Sequence, residues 1–339
     1  MTAPHPTAPS FSPPHLTFFC ELEPAPLVKL FENPEVIDGL RALGAGVSLG
    51  LLDLSEARAS IVRRLDEAGI PVTAWLLLPR EQGYFQHVEN VAEATERFDQ
   101  LVEWTRRERL SWAGLGLDLE LDRREIELFS AQPWRAAPVI IERAFDLDRL
   151  RRGLDGYRAL IARMRAEGWA VETYQFPAVA DDRATGSALL QRSLGMMDLA
   201  VEREVWMLYS SLLPPRGPGW LCSYGPQAQA IAVGSTGGGI DPLPKLGWDE
   251  LRRDLLLARK WSEALYVFSL EGCVAQGMLS RLAALDWTEA ASIQVPVAVQ
   301  RRVDLMRRGA RALLRMSARV GRAAARVGEV SRRARSSRG

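Results

Sequence analysis

The sequence predicts a (β/α)8 barrel, on three observations: eight apolar strand-like runs, helix-like segments between them, and a span of roughly 270 residues for the whole set. The runs are 15–22, 46–54, 70–78, 113–120, 169–176, 204–210, 230–235 and 264–270. Between them, apolar residues recur with helical spacing over 34–43, 55–68, 88–110, 147–167, 185–194 and 248–263. Ser55 and Thr185 stand where helix N-caps are expected, and Gly44, Gly69 and Gly168 follow helices as C-cap signals. The first run leads into Glu21-Leu22-Glu23-Pro24-Ala25-Pro26, without the glycine-rich turn of an open doubly wound sheet. Gly237-Gly238-Gly239 after the seventh run reads as a glycine-lined loop rather than a phosphate cradle. Two insertions, 123–146 and 212–229, follow the fourth and sixth strands and belong to the carboxyl face, where barrels build their ligand walls. Trp134, Trp220 and Tyr224 within them are expected either to stack on a flat ligand or to cover the core.

Composition narrows the chemistry. With 47% hydrophobic and 25% charged residues in 339, the chain is expected to be an ordinary soluble globular protein. It holds no apolar run of membrane-spanning length, and its Pro-rich start is unlike a signal peptide, so a cytoplasmic location, peripheral to a membrane through the tail, is expected. Cys20, Cys222 and Cys273 are few and far apart, as buried thiols in a reducing compartment are. His5, His15 and His87 are too few for a multi-histidine zinc site or an evident Ser-His-Asp triad. Lys29, Lys245 and Lys260 all lie outside the strand-like runs, which argues against a strand-borne Schiff base.

Three parts are expected: a Pro-rich disordered leader at 1–14, a barrel at 15–290, and a basic helical tail at 291–339, partly disordered. From 301 to 339 there are 13 Arg against Asp304 and Glu329, a charge of +11, which leaves −10 on the rest given the net +1. Val303, Met306, Ala310, Leu313, Ser317, Val320, Ala324 and Val327 form the tail's apolar stripe. Such a helix suits an anionic membrane surface or an acidic partner, including its own body; no specific nucleic acid is expected.

The most informative stretch is 112–120, an apolar strand ending in Asp118 and Glu120. Side chains two apart on a strand share a face, about 6 to 7 Å apart, so both acids point into one site. The other strand ends deliver Glu21, Glu23, Asp53, Trp75, Tyr174, Gln175, Tyr209 and Glu271 to the same face. Many carboxylates and hydroxyls with few cations suit a polyhydroxylated neutral ligand, or a divalent metal held by oxygen. A retaining glycosidase needs two acids about 5 to 5.5 Å apart, commonly from strands four and seven, and the seventh run carries none. A donor with its partner on the same strand is the arrangement of substrate-assisted hydrolysis, in which the sugar's acetamido group attacks.

Gly114-Leu115-Gly116-Leu117-Asp118-Leu119-Glu120 resembles the second half of the DxxDxDxE signature of family 18 chitinases, and Met207-Leu208-Tyr209-Ser210 resembles their MxYD. The short DxE also resembles the strand-four motif of family 25 muramidases. The chitinase resemblance implies a glycosidase barrel in which Glu120 is the general acid, Asp118 orients the acetamido group and Tyr209 hydrogen-bonds it. Glu21, Glu23, Asp53, Trp75, Tyr174, Gln175 and Glu271 are then candidates for binding an oligosaccharide or glycoconjugate that contains N-acetylhexosamine. The resemblance implies no cofactor and no metal. Gly116 stands where the family has an inner Asp, and Ser210 where it has the Asp of MxYD. A carbohydrate-binding barrel without turnover is therefore one alternative. A divalent-metal lyase or phosphodiesterase using Glu21, Asp53, Asp118, Glu120 and Glu271 is another.

Overall fold

A computed structural model describes residues 13–238 and 244–336, with side chains described as far as 319. The leader 1–14 and Gly239 of the glycine run thus fall wholly or nearly so outside the described residues. Eight strands, β1 (His15–Cys20), β2 (Gly46–Gly50), β3 (Val72–Leu76), β4 (Gly114–Leu119), β5 (Val171–Gln175), β6 (Arg203–Met207), β7 (Ala230–Gly234) and β8 (Ala264–Phe268), close into a barrel. Every neighbouring pair is parallel, and β1 pairs with β8 as well as β2. This is the TIM barrel that the alternation predicts, with a C-terminal helix attached. Each predicted run coincides with one strand to within two residues at its start, because strands covered on both faces are largely apolar.

Helix ends follow local chemistry. Ser55 Oγ accepts from the Arg58 backbone N–H at 3.3 Å and starts the helix Glu56–Glu67. Gly44, Gly69 and Gly168 adopt φ of +57°, +72° and +88°, the left-handed conformation that ends a helix most cheaply at glycine. The expected helix 185–194 is instead two, Ala178–Thr185 and Leu189–Leu194. Gly186, at φ +64°, ends the first, so Thr185 lies in its last turn, donating from Oγ1 to the Asp181 carbonyl at 2.7 Å, and caps nothing. The insertion after β4 forms the helices Arg123–Ala131 and Pro133–Phe145, and the one after β6 forms Gly217–Tyr224.

The barrel is filled in layers. Glu172 lies inside near its base and accepts hydrogen bonds from Tyr174 and Tyr266, each at 2.7 Å. Tyr174 Oη also lies 2.6 Å from Ser48 Oγ. Above this network Phe19 packs edge-on against Trp75 and Tyr174, with ring centroids 5.2 and 4.7 Å apart. Two further apolar clusters lie between the sheet and the outer helices.

The C-terminal helix, Val297–Ser336, docks along Ala178–Thr185 and Gly217–Tyr224. Its contact face differs from the predicted stripe: Val303, Arg307, Leu314 and Ala318 are buried, whereas Met306, Ala310 and Leu313 are exposed. The phase is set by charge. Arg307 Nε and Arg311 Nε donate to buried Asp181 Oδ1 at 2.9 and 2.7 Å, and Tyr224 Oη donates to Asp181 Oδ2 at 2.6 Å. The Arg307 guanidinium also stacks 3.6 Å from the Tyr224 ring centroid. Trp220 and Tyr224 pack against each other in this joint, with centroids 4.5 Å apart. Neither reaches the ligand cavity described below, so the covering role holds for them. One acidic partner of the tail is thus the barrel itself. No described helix is long and apolar enough to cross a membrane.

Removing one side of a buried ion pair strands the other charge. Asp181→Ala is expected to cost about 3–5 kcal/mol of unfolding free energy, read by urea denaturation, and to speed proteolysis of the C-terminal helix. A variant as stable and resistant as the parent would show that Asp181 does not hold the helix.

Candidate functional site

A cavity of about 540 Å³ opens at the carboxyl end of the strands. Its floor is Phe19, Trp75, Tyr174 and Phe268, its charged wall is Glu21, Asp118 and Glu120, and Tyr209 faces them. Phe85, Ile126, Phe176, Met207 and Leu212 make much of the remaining lining apolar. Strand alternation explains the membership: Gly116, Asp118 and Glu120 turn inward while Leu115, Leu117 and Leu119 pack under the helices. On β6 and beyond, Met207 and Tyr209 line the cavity, and Ser210 turns away to hydrogen-bond Asp254.

Burial is the largest influence on the electrostatics. Burial raises the Asp118 carboxyl well above its ordinary value, and the neighbouring charges of Glu120 and Glu21 add to the effect. The nearby Trp75 indole partly offsets this without reaching hydrogen-bond geometry, so Trp75 Nε1 and Asp118 Oδ1 are both buried and unpartnered among the described residues. Glu120 is pushed up to about 7, first by burial; Asp118 pulls it back through a hydrogen bond, and Glu21 raises it. Burial also raises Glu21, against the hydrogen bond donated by the Tyr84 hydroxyl and the charges of Arg123 and Arg80. The Tyr209 hydroxyl is raised by burial and then by Asp118, Glu120 and Glu21.

The other predicted positions divide. Glu271 follows β8 with both carboxylate oxygens buried and unpartnered among the described residues; burial pushes it up to about 7, and it lies beside Cys20. Glu23 is exposed at the start of the helix Pro24–Glu32 and makes no capping bond. Asp53 belongs to the structure of its loop: its carboxylate accepts from Arg58 Nη2 at 2.7 Å and from the Ser55 N–H at 2.9 Å. Burial alone would raise its pKa, but these bonds bring it below the ordinary carboxylate range. Gln175 has the outward phase of β5, bonds Glu204, and does not line the cavity. Tyr174 sits at the cavity floor, but its hydroxyl is committed to Ser48 and Glu172 below. Trp134 is 70% exposed and lies outside the lining.

Tyr174 also explains Gly116. A Cβ at residue 116 would overlap the Tyr174 hydroxyl and lie 2.5 Å from Cζ. The space on the inner face at residue 116 is filled by a tyrosine from the next strand.

Three residues that shape the site carry no sequence signal. Phe85, which lines the cavity, Tyr84, which bonds Glu21, and Gln86 come from the loop after β3, where Tyr84 adopts φ +69°. Gln86 Oε1 accepts from the Asp118 N–H at 2.8 Å, the Gln86 N–H donates to the Asp118 carbonyl at 2.8 Å, and Gln86 Nε2 donates to the Leu76 carbonyl at 2.9 Å. The loop is thereby clamped across β3 and β4 and fixes the backbone of Asp118. Among the described residues, no group of three or more His, Cys, Asp or Glu side chains is arranged to hold a metal ion. The metal reading also loses Asp53, which is occupied by Arg58.

No family model matches the sequence. No curated protein matches it either. Among solved structures, it is similar to the 3-keto-D-glucoside 4-epimerase YcjR from E. coli, at 14% identity and TM-score 0.45 over 80% of this chain and 98% of that one. It is also similar to an L-ribulose 3-epimerase, at 12% identity and TM-score 0.40 over 86% and 93%. A third is the deoxyribose phosphate aldolase from Aeropyrum pernix, at 11% identity and TM-score 0.41 over 80% and 90%. Two of these structures are epimerases and the third is an aldolase.

Two outcomes are expected. Gly116→Ala should lose about 2 kcal/mol through overpacking against Tyr174, and a Tyr174→Ala background should erase most of that loss; an additive pair would refute the overlap. Because folding raises Glu120 to about 7, the folded chain keeps a proton that the unfolded chain has released. The stability carried by that proton is present below the ordinary carboxylate value and is lost as pH rises through about 7. Glu120→Gln should therefore be more stable than the parent by about 2 kcal/mol near pH 8, with the gap narrowing toward pH 5. A gap that does not change with pH would place the titration elsewhere.

Proposed function

We propose that the barrel acts on a glycan, as a glycoside hydrolase in which Glu120 donates a proton to the glycosidic oxygen. The observation that carries this reading is the Glu120 carboxyl on the cavity wall, pushed up to about 7 by its partial burial. A proton donor works best when its pKa lies near the working pH. The buried pair below it, Trp75 Nε1 as donor and Asp118 Oδ1 as acceptor, is complementary to an acetamido group, which offers one C=O and one N–H. That match favours an N-acetylhexosamine over a plain hexose.

In the proposed reaction the acetamido oxygen attacks the anomeric carbon while Glu120 protonates the departing oxygen. Asp118 accepts the acetamido N–H and, in its ionised form, steadies the positive charge that develops on the ring formed. Water then opens that ring, giving its proton to the Glu120 carboxylate, which restores the starting state. Tyr209 hydrogen-bonds the same group from across the cavity.

A second reading, a sugar-binding barrel without turnover, is favoured by the Tyr174 ring at Gly116 and by the engagement of Ser210 with Asp254. Both remove acids that the chitinase motifs carry.

Hydrolysis of a panel of aryl N-acetylhexosaminides and oligosaccharides separates the two. Turnover should fall by at least about a hundredfold in Glu120→Gln and should decline as pH rises past about 7. Binding of an oligosaccharide without turnover would favour the second reading. Hydrolysis unaffected by Glu120→Gln would remove Glu120 as the acid.

A further inference from the structure

Exposed large hydrophobic side chains are confined, among the described residues, to 128–147, Leu213 and 297–316. The rest of the barrel surface has none, so this concentration differs from the scattered exposed apolar residues of an ordinary soluble surface. On the helix Pro133–Phe145, Trp134, Ile141 and Phe145 are 70%, 60% and 82% exposed. Their spacings of seven and four residues put them on one side of the helix. The inner side, through Val139 and Ile140, is partly buried.

The C-terminal helix repeats the pattern. With Val303, Arg307, Leu314 and Ala318 against the barrel, the outward side carries Leu305, Met306, Leu313 and Met316, each more than half exposed. Arg301, Arg308, Arg315 and Arg319 run along one edge of that apolar strip at helical spacing and are exposed. None of the four has a carboxylate partner among the described residues, in contrast to Arg307 and Arg311. Both helices pack against the same short helix, Leu189–Leu194, so their exposed faces flank one element. The neighbouring helix Arg123–Ala131 contributes Ile126 and Ala131 to the cavity wall, which places this surface beside the cavity mouth.

We infer that this surface docks the barrel on an anionic lipid bilayer. The chemistry selects that occupant. Trp and Phe seat at the boundary between headgroups and acyl chains, and a helix with an apolar strip edged by arginines lies in the same plane. The unpaired guanidinium row is complementary to anionic headgroups, each arginine adding attraction at close range. A bilayer also accounts for two exposed apolar faces on separate helices at once. The inference does not depend on the hydrolase reading, since it concerns attachment alone.

The test uses the full chain with phosphatidylcholine vesicles and with vesicles enriched in phosphatidylglycerol. Flotation should show binding to the phosphatidylglycerol vesicles, weakened by salt. The pair Arg308→Glu with Arg315→Glu should weaken it by about tenfold or more, and so should Trp134→Ser with Phe145→Ser, with unfolding midpoints unchanged because all four side chains are exposed. Failure to bind phosphatidylglycerol vesicles would overturn the inference, as would binding that neither pair reduces. A dimer of the parent that Trp134→Ser with Phe145→Ser converts to monomer, with no vesicle binding, would assign the surface to contact between copies and overturn it equally.

Discussion

The structure depends on how the inside of the barrel is filled. Eight parallel strands enclose a space that cannot be left empty, and here a polar network plugs it near the base: Glu172 clasped by Tyr174 and Tyr266, with Ser48 beside Tyr174. Burying a carboxylate is costly unless it is hydrogen-bonded, and two tyrosine hydroxyls offset that cost for Glu172. The Tyr174 ring then excludes any side chain at residue 116 on the neighbouring strand. It also sets the height of the cavity floor, so the first inward groups above it on β4 and beyond are Asp118 and Glu120. The plug desolvates those acids from below, and Phe85, Ile126 and Phe176 do so from the sides.

Why the fold was legible in the sequence, and the site only in part, follows from the range of the interactions. A strand covered on both faces is largely apolar along its length, and a glycine at a left-handed helix end is a local need. Both leave marks that sequence alone reveals. Asp118 and Glu120 were legible for the same reason, since a period of two puts them on one face wherever the strand goes. Phase is harder. Asp53 and Gln175 lie at strand ends as expected, but one turns to Arg58 and the other to Glu204. Tyr84, Phe85 and Gln86 were not legible because their positions rest on a loop held by Asp118 and Leu76, with no repeating pattern to betray it.

The C-terminal helix shows a polar contact overriding a hydrophobic pattern. Its most regular apolar stripe includes Met306 and Leu313, and burying them would have turned Arg307 away from Asp181. A buried Asp181 without partners costs several kcal/mol, whereas leaving two apolar side chains in water costs about 1.5–3 kcal/mol each at most. The two are comparable, and Tyr224 tips the balance by bonding Asp181 and stacking on Arg307 at once. The displaced apolar side chains consequently face outward beside arginines that have no carboxylate partner among the described residues.

The charge balance of the cavity restricts what it can accept. Glu21, Asp118 and Glu120 converge on one wall where burial is the first cause of each raised pKa, and the cations acting on Glu21, Arg123 and Arg80, are not among the lining residues. Three carboxylates so placed cannot all be ionised near neutral pH without a large desolvation cost, so the group holds protons, which is why Glu120 and Asp118 lie above their ordinary range. An anionic ligand would meet both the remaining negative charge and a lack of compensating donors. A cation would be attracted, but it would find the acids partly protonated. A neutral ligand with hydroxyl and amide groups can donate to the ionised oxygens and accept from the protonated ones, and the apolar walls can take its less polar faces.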